Sequence, residues 1–115
     1  MKATKVWTLA LLAGSFLASA SLEAAPCVAS PAVLCLSGQR FAVEVNWKDF
    51  QANTGQGRGV TLTPDTGYFW FFSDNNVELV VKVLDARSFN NHFWVFFGAL
   101  SNVEYTLNGL PRAHP

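Results

Sequence analysis

The chain has 115 residues, with eight basic and eight acidic side chains; half of its residues are hydrophobic and 14% are aromatic. That length fits one domain. The absence of a basic stripe excludes an electrostatic nucleic-acid surface, and the absence of an acidic block excludes a charged, solvated tail.

The first 20 residues read as an export signal. Lys2 and Lys5 precede the uncharged stretch Val6 to Leu17, and Ala18-Ser19-Ala20 then offers small residues for cleavage. The apolar run is shorter than the roughly 20 residues that span a bilayer. A cut after Ala25 would place Glu23 at an unfavourable position, and Pro26 before Cys27 is a poor lipoprotein signal. Removing 20 of the 115 residues leaves 95, with six basic and eight acidic side chains. The expected product is a secreted or periplasmic domain over 21–108 with an irregular tail at 109–115 and no membrane partner.

Cys27 and Cys35 are the two cysteines. In an oxidising compartment they are expected to pair. No CxxC spacing and no nearby histidine favours a metal instead.

Arg40 to Lys48 alternates strictly: Phe41, Val43, Val45 and Trp47 point one way, while Glu44, Asn46 and Lys48 point the other. This is a strand with one wet face. Asn53-Thr54-Gly55-Gln56-Gly57-Arg58-Gly59 reads as a long, mobile hairpin connection rather than a phosphate loop, because strand-like Val60-Thr61-Leu62-Thr63 follows it instead of a helix. Pro64-Asp65-Thr66-Gly67 reads as a turn in which Gly67 permits positive φ. Strands are then expected at 68–72, 77–84, 92–97 and 102–107, with Glu78 and Lys82 on the wetter face of their strand. No segment beyond the export signal shows helical periodicity over three turns. The expected fold is all-β, a small antiparallel sandwich of six to seven strands with Ig-like architecture, following an N-terminal signal helix.

Cys27, Cys35-Leu36, Gly38, Arg40-Phe41, Trp47, Gly67-Tyr68-Phe69-Trp70-Phe71-Phe72, Val81-Lys82-Val83-Leu84-Asp85, Phe93-Trp94-Val95-Phe96 and Val103-Glu104-Tyr105 together resemble a β-domain module of bacterial secreted proteins. The resemblance covers nearly all of the chain after the signal. It implies a compact secreted domain with no assigned activity, cofactor or catalytic residue. Such modules continue past the last strand into a polar hairpin, whereas this chain departs from the pattern at Gly109. The strand 102–107 is then expected to be an open edge able to self-associate. Thr63-Pro64-Asp65-Thr66-Gly67-Tyr68-Phe69-Trp70 also resembles one inhibitory loop of chagasin-type cysteine protease inhibitors, although the glycine-rich segment precedes it here and an Arg-Pro-Trp motif is missing.

The residues offer little for catalysis. A triad needs a positioned base, and the two histidines are His92, at a strand start, and His114, in the expected tail. Of Asp49, Asp65, Asp74, Glu78, Asp85 and Glu104, all but Glu78 and Glu104 fall in turns, where Asp serves the backbone. Asp74, Asn75, Asn76 and Glu78 cluster oxygen donors without the spacing of a calcium loop. No enzyme activity, cofactor or metal is therefore expected. The aromatic excess is the unusual feature. Buried on both faces it is core; exposed, it binds a sugar or a protein. Tyr68, Trp70 and Trp94 are the candidate ligand-binding residues. The expected function is a non-catalytic secreted binding or interaction module for carbohydrate or protein. The alternatives are a cysteine protease inhibitor acting through the loop 63–68 and a structural spacer.

Overall fold

The alternating stretch at Phe41 organises one of two sheets. β2 (Phe41–Lys48) buries Val43 and Val45 and half-buries Phe41 and Trp47, leaving Asn46 and Lys48 in water. The computed structural model describes residues 25–112, so the export signal expected at 1–20 and His114 lie outside the described residues. β1 (Leu34–Leu36) pairs antiparallel with the first half of β2, Leu34 opposite Val43. β3 (Thr54–Gln56) pairs with its second half, Trp47 opposite Gly55. On the other side of β2, β8 (Glu104–Pro111) runs its whole length, from Lys48 opposite Glu104 to Phe41 opposite Pro111.

The second sheet is an antiparallel meander of β4 (Arg58–Thr63), β5 (Thr66–Trp70), β6 (Leu79–Ala86) and β7 (His92–Ala99). A single helical turn, α1 (Arg87–Asn90), joins the last two and ends where Asn91 turns left-handed at φ 67°. The inner faces meet in one core of Leu34, Leu36, Val43, Val45, Phe69, Phe71, Leu79, Val81 and Val83. The chain is thus a small all-β antiparallel sandwich. Its described strands number eight rather than six to seven.

The additional strands are β1 and β3, and β8 runs longer than expected; β3 and the longer β8 lie where glycine suggested irregular chain. The segment 53–59 is not a loose hairpin loop. It forms β3, crosses between sheets at Gly57 and continues as β4. The Gly57 N–H donates to the Val45 carbonyl at 2.8 Å, and the Gly59 N–H donates to the Pro31 carbonyl at 2.9 Å. Glycine is needed there for close approach: a Cβ on Gly57 would press on Phe71 and Phe69, and one on Gly55 would collide with the Trp47 indole. Nor does an irregular tail begin at 109. Gly109 pairs with Val43 and Leu110 with Ala42, so the expected strand 102–107 is observed as 104–111. Pro111 is tolerated because it closes the strand with its nitrogen on the unpaired side.

Gly67 is another correction. It has no positive φ and sits inside β5, opposite Val81. Its requirement is space. A Cβ would lie 2.6 Å from a Leu34 methyl and 2.7 Å from the Val60 carbonyl oxygen. The turn before it is only Pro64-Asp65, between paired Thr63 and Thr66. Glu78, expected on a wet face, is instead buried and accepts a bond from the Asn76 amide at 3.3 Å.

Cys27 and Cys35 form a disulfide with Cα atoms 5.7 Å apart. The bridge closes the loop 27–35 against β2, where Cys35 lies opposite Ala42, and this covers the outward-facing Ala42. Reducing the bridge or replacing both cysteines by serine is expected to cost about 2–3 kcal/mol, read from urea unfolding, because the short loop removes little denatured-state entropy. Gly67→Ala is expected to cost about 1–3 kcal/mol by overpacking. Gly98→Ala, whose Cβ meets nothing within 4 Å, should leave the melting temperature unchanged or slightly raised.

Candidate functional site: the outer face of the second sheet

The aromatic strand Tyr68-Phe69-Trp70 has no alternation to read in its sequence, yet the fold gives it one. Gly67 and Phe69 are buried toward the first sheet, and Thr66, Tyr68 and Trp70 are half-exposed on the opposite face. Register carries this outer face across the sheet. Arg58 lies opposite Trp70 and Val60 opposite Tyr68. Val80 is on the other side of Tyr68. Gly98 follows beyond Val80, Phe96 lies opposite Lys82, and Trp94 lies opposite Leu84. Tyr68, Trp70 and Trp94 therefore share one face, with Phe96, Val60, Val80 and Leu84 around them and the exposed Lys82 in their midst. The rings form a surface layer outside the core, for which Phe69 and Phe71 supply the buried rings.

The two tryptophans occupy separate stations. With β6 as a ruler at about 3.4 Å per residue, Trp94 lies roughly 13 Å along the strands from Tyr68, and Trp70 lies further still. The Arg58 guanidinium sits 5.9 Å from the Trp70 ring centre, a cation–π contact that extends the ring with a planar donor. At the other station the Trp94 Nε1–H donates to Asn90 Oδ1 at 3.2 Å. Phe89 and Phe96 meet the Trp94 ring edge-on at 5.5 and 6.4 Å. The single turn of α1 thus fixes the orientation of that indole. Tyr68 stands mid-strand between the stations rather than beside the turn.

Sequence reasoning did not find Arg58, Phe89 or Phe96 for this face. Arg58 stands in a glycine-rich segment that carries no strand pattern, and only register shows which of Phe96 and Phe97 faces out. A depression lies elsewhere, an open space of about 600 Å³ on the first sheet lined by Asn46, Lys48, Thr54, Gln56, Glu104 and Thr106 together with Trp47 and Tyr105. It is shallow and holds no pair of groups bonded as nucleophile and base. His92 is exposed at the start of β7. In the 73–78 segment, Ser73 donates to Asn75 Oδ1 at 2.7 Å and Asn76 to Glu78, which occupies the oxygens in turn bonds. No group of three or more His, Cys, Asp or Glu side chains placed to hold a metal occurs among the described residues.

Beside the Trp94 station, Arg87 bonds Asp85 through Nε at 2.9 Å and through its terminal nitrogen at 2.8 Å. Its guanidinium lies 4.7 Å from the Phe93 ring centre. Chiefly through the side-chain bond from Arg87, helped by the Arg87 backbone N–H, the Asp85 carboxyl is held down at about 2. A lowered carboxyl pKa means that the pair stabilises the fold above the ordinary Asp range and loses that effect as pH falls through about 2. NMR titration should therefore show Asp85 still ionised at pH 3, and Arg87→Ala should return its midpoint toward the ordinary Asp value.

No protein-family model, curated protein or solved structure matches the chain.

Proposed function

We propose that this domain is a non-catalytic binding module of the secreted or periplasmic space, and that it receives another protein on the outer face of its second sheet. The observation that carries this is the outward placement of Tyr68, Trp70 and Trp94 on one face of the second sheet, away from the core, with α1 packed against Trp94 at one end. Exposed apolar faces of this kind mark interaction sites. Tyr, Trp and Arg are the residue types that anchor protein interfaces, and Arg58 over Trp70 supplies such a pair. Between the stations the face carries Val80, Leu84 and Phe96 around the exposed Lys82, which lies opposite Thr66. The preference for a protein rests on the Trp, Tyr and Arg anchors, and Lys82 offers that partner's carboxylates a charge. The disulfide fits an oxidising compartment. No helix among the described residues is long and apolar enough to cross a membrane.

The spacer alternative predicts a face without such rings. The inhibitor alternative requires a projecting loop, whereas Pro64 and Asp65 form a two-residue turn tied down through both carbonyls, to the Ser37 and Val83 N–H groups, at 2.9 Å each.

Trp70→Ala is expected to melt within about 1 kcal/mol of the parent, because the ring lies outside the core. Phe69→Ala, one residue away, should lose about 3–5 kcal/mol. Against proteins sharing its compartment, captured on the immobilised domain, Trp70→Ala and Arg58→Ala should each weaken binding by roughly tenfold or more. Unchanged capture by both variants would remove this face as the site. Loss confined to binding on a glycan array would reassign the ligand to carbohydrate.

A further inference from the structure

Among the described residues β7 is an open edge, and its composition is unusual. Its eight residues, His92-Phe93-Trp94-Val95-Phe96-Phe97-Gly98-Ala99, contain no Lys, Arg, Asp or Glu and no proline. Edge strands in water are normally guarded by such residues. Its inward-facing side chains are also uncovered: Val95 and Phe97 are each 58% exposed, although they lie opposite core residues Val83 and Val81. They form one wall of an apolar groove of about 300 Å³ whose other wall is Leu107 and Gly109 of β8.

The phase of the ladder shows which backbone groups are free. The Leu100 N–H donates to the Glu78 carbonyl at 2.7 Å. Bonded pairs alternate along an antiparallel ladder, so Gly98, Phe96 and Trp94 turn their backbones to β6. Phe93, Val95 and Phe97 turn theirs to the open edge. The residues with unpaired N–H and C=O groups are thus the same ones that face the groove.

We propose that two copies of the domain join by antiparallel pairing of their β7 edges, which closes the apolar groove in both. A dyad normal to the sheet places inner-face residues beside inner-face residues, so Val95 and Phe97 of each copy continue the core side of a shared eight-stranded sheet. A strand with no charge meets its own image without like-charge repulsion, and one isologous contact protects both edges. β8 is the poorer edge for this purpose. It carries Glu104 at one end, Pro111 without an N–H at the other, and Gly109 with no side chain to bury. The inference uses the edge and inner face of β7 and does not depend on binding at the outer face.

Sedimentation equilibrium of the purified protein is expected to show a dimer. Val95→Lys should give a monomer that still unfolds cooperatively, because the side chain is more than half exposed. Mixing Val95→Lys with Val95→Glu should restore a heterodimer, and Trp70→Ala should leave the dimer intact. Val95→Pro removes only an outward N–H and should also give a monomer. If these variants do not fold, hydrogen exchange on the unaltered protein decides instead: the Phe93, Val95 and Phe97 amides should gain protection as concentration rises. A protein that sediments as a monomer at every concentration overturns the proposal. So does a dimer that survives both Val95→Lys and Val95→Pro, or edge amides that exchange rapidly at all concentrations.

Discussion

The seating of Leu34 on two glycines of the opposite sheet sets the shape of this domain. Leu34 is fully buried, its methyls 2.6 and 2.8 Å from where a Gly67 Cβ would stand and its own Cβ 3.2 Å from where a Gly59 Cβ would. β1 can therefore approach β4 and β5 closely, and the chain crosses between sheets on that same side at Gly57. Pinching a sandwich along one side leaves the opposite side wider. That side holds β7 and β8, each hydrogen-bonded along one edge only, with the apolar groove between them. The open seam thus follows from where the glycines stand as much as from what β7 contains.

The same contact fixes which way the aromatic strand faces. Gly67 must point inward to admit Leu34, so Phe69 points inward and Tyr68 and Trp70 point outward. A slip of one residue would put the Trp70 indole where the Phe69 ring fills the core and would drive the Tyr68 side chain into Leu34. The identity of the outer face is therefore enforced by the core, and any ligand using Trp70 relies on a residue whose orientation is set from beneath. Trp94 is held differently, by its Nε1–H bond to Asn90 and by the edge of Phe89.

Several features were legible in the residues themselves. The alternation in β2, the Cys27–Cys35 bridge and the all-β class each follow from a local pattern with one physical meaning. Gly55, Gly57, Gly59 and Gly67 misled because glycine signals either a positive φ or a close approach, and only the neighbour across the sandwich tells which. Gly109 and Pro111 misled in a related way, since both suit the end of an edge strand as well as a tail. Tyr68, Trp70 and Trp94 could be named as candidates from their abundance of exposed-capable rings, but not assigned to a common face. Consecutive aromatics carry no period, so their faces depend on the Gly67–Leu34 contact and on the β5–β6–β7 register.

Edge pairing and face binding would reinforce each other rather than compete. Edge pairing spends the backbone of Phe93, Val95 and Phe97 and their inward side chains. The outer face is carried by the even-numbered residues, Trp94 and Phe96, whose backbones are already bonded to β6. Across a dyad at β7, the outer faces of two copies become one surface, with Trp94 and Phe96 of each beside those of the other and the Trp70–Arg58 stations at its two far ends. A partner presenting a repeated or extended surface would then meet paired stations at fixed spacing, and the second contact would form at high effective concentration without any new side chain. The charge-free composition of β7 suits both contacts: a charge on its edge would oppose self-pairing, while Trp94 and Phe96 place two rings beside Lys82 on the outer face.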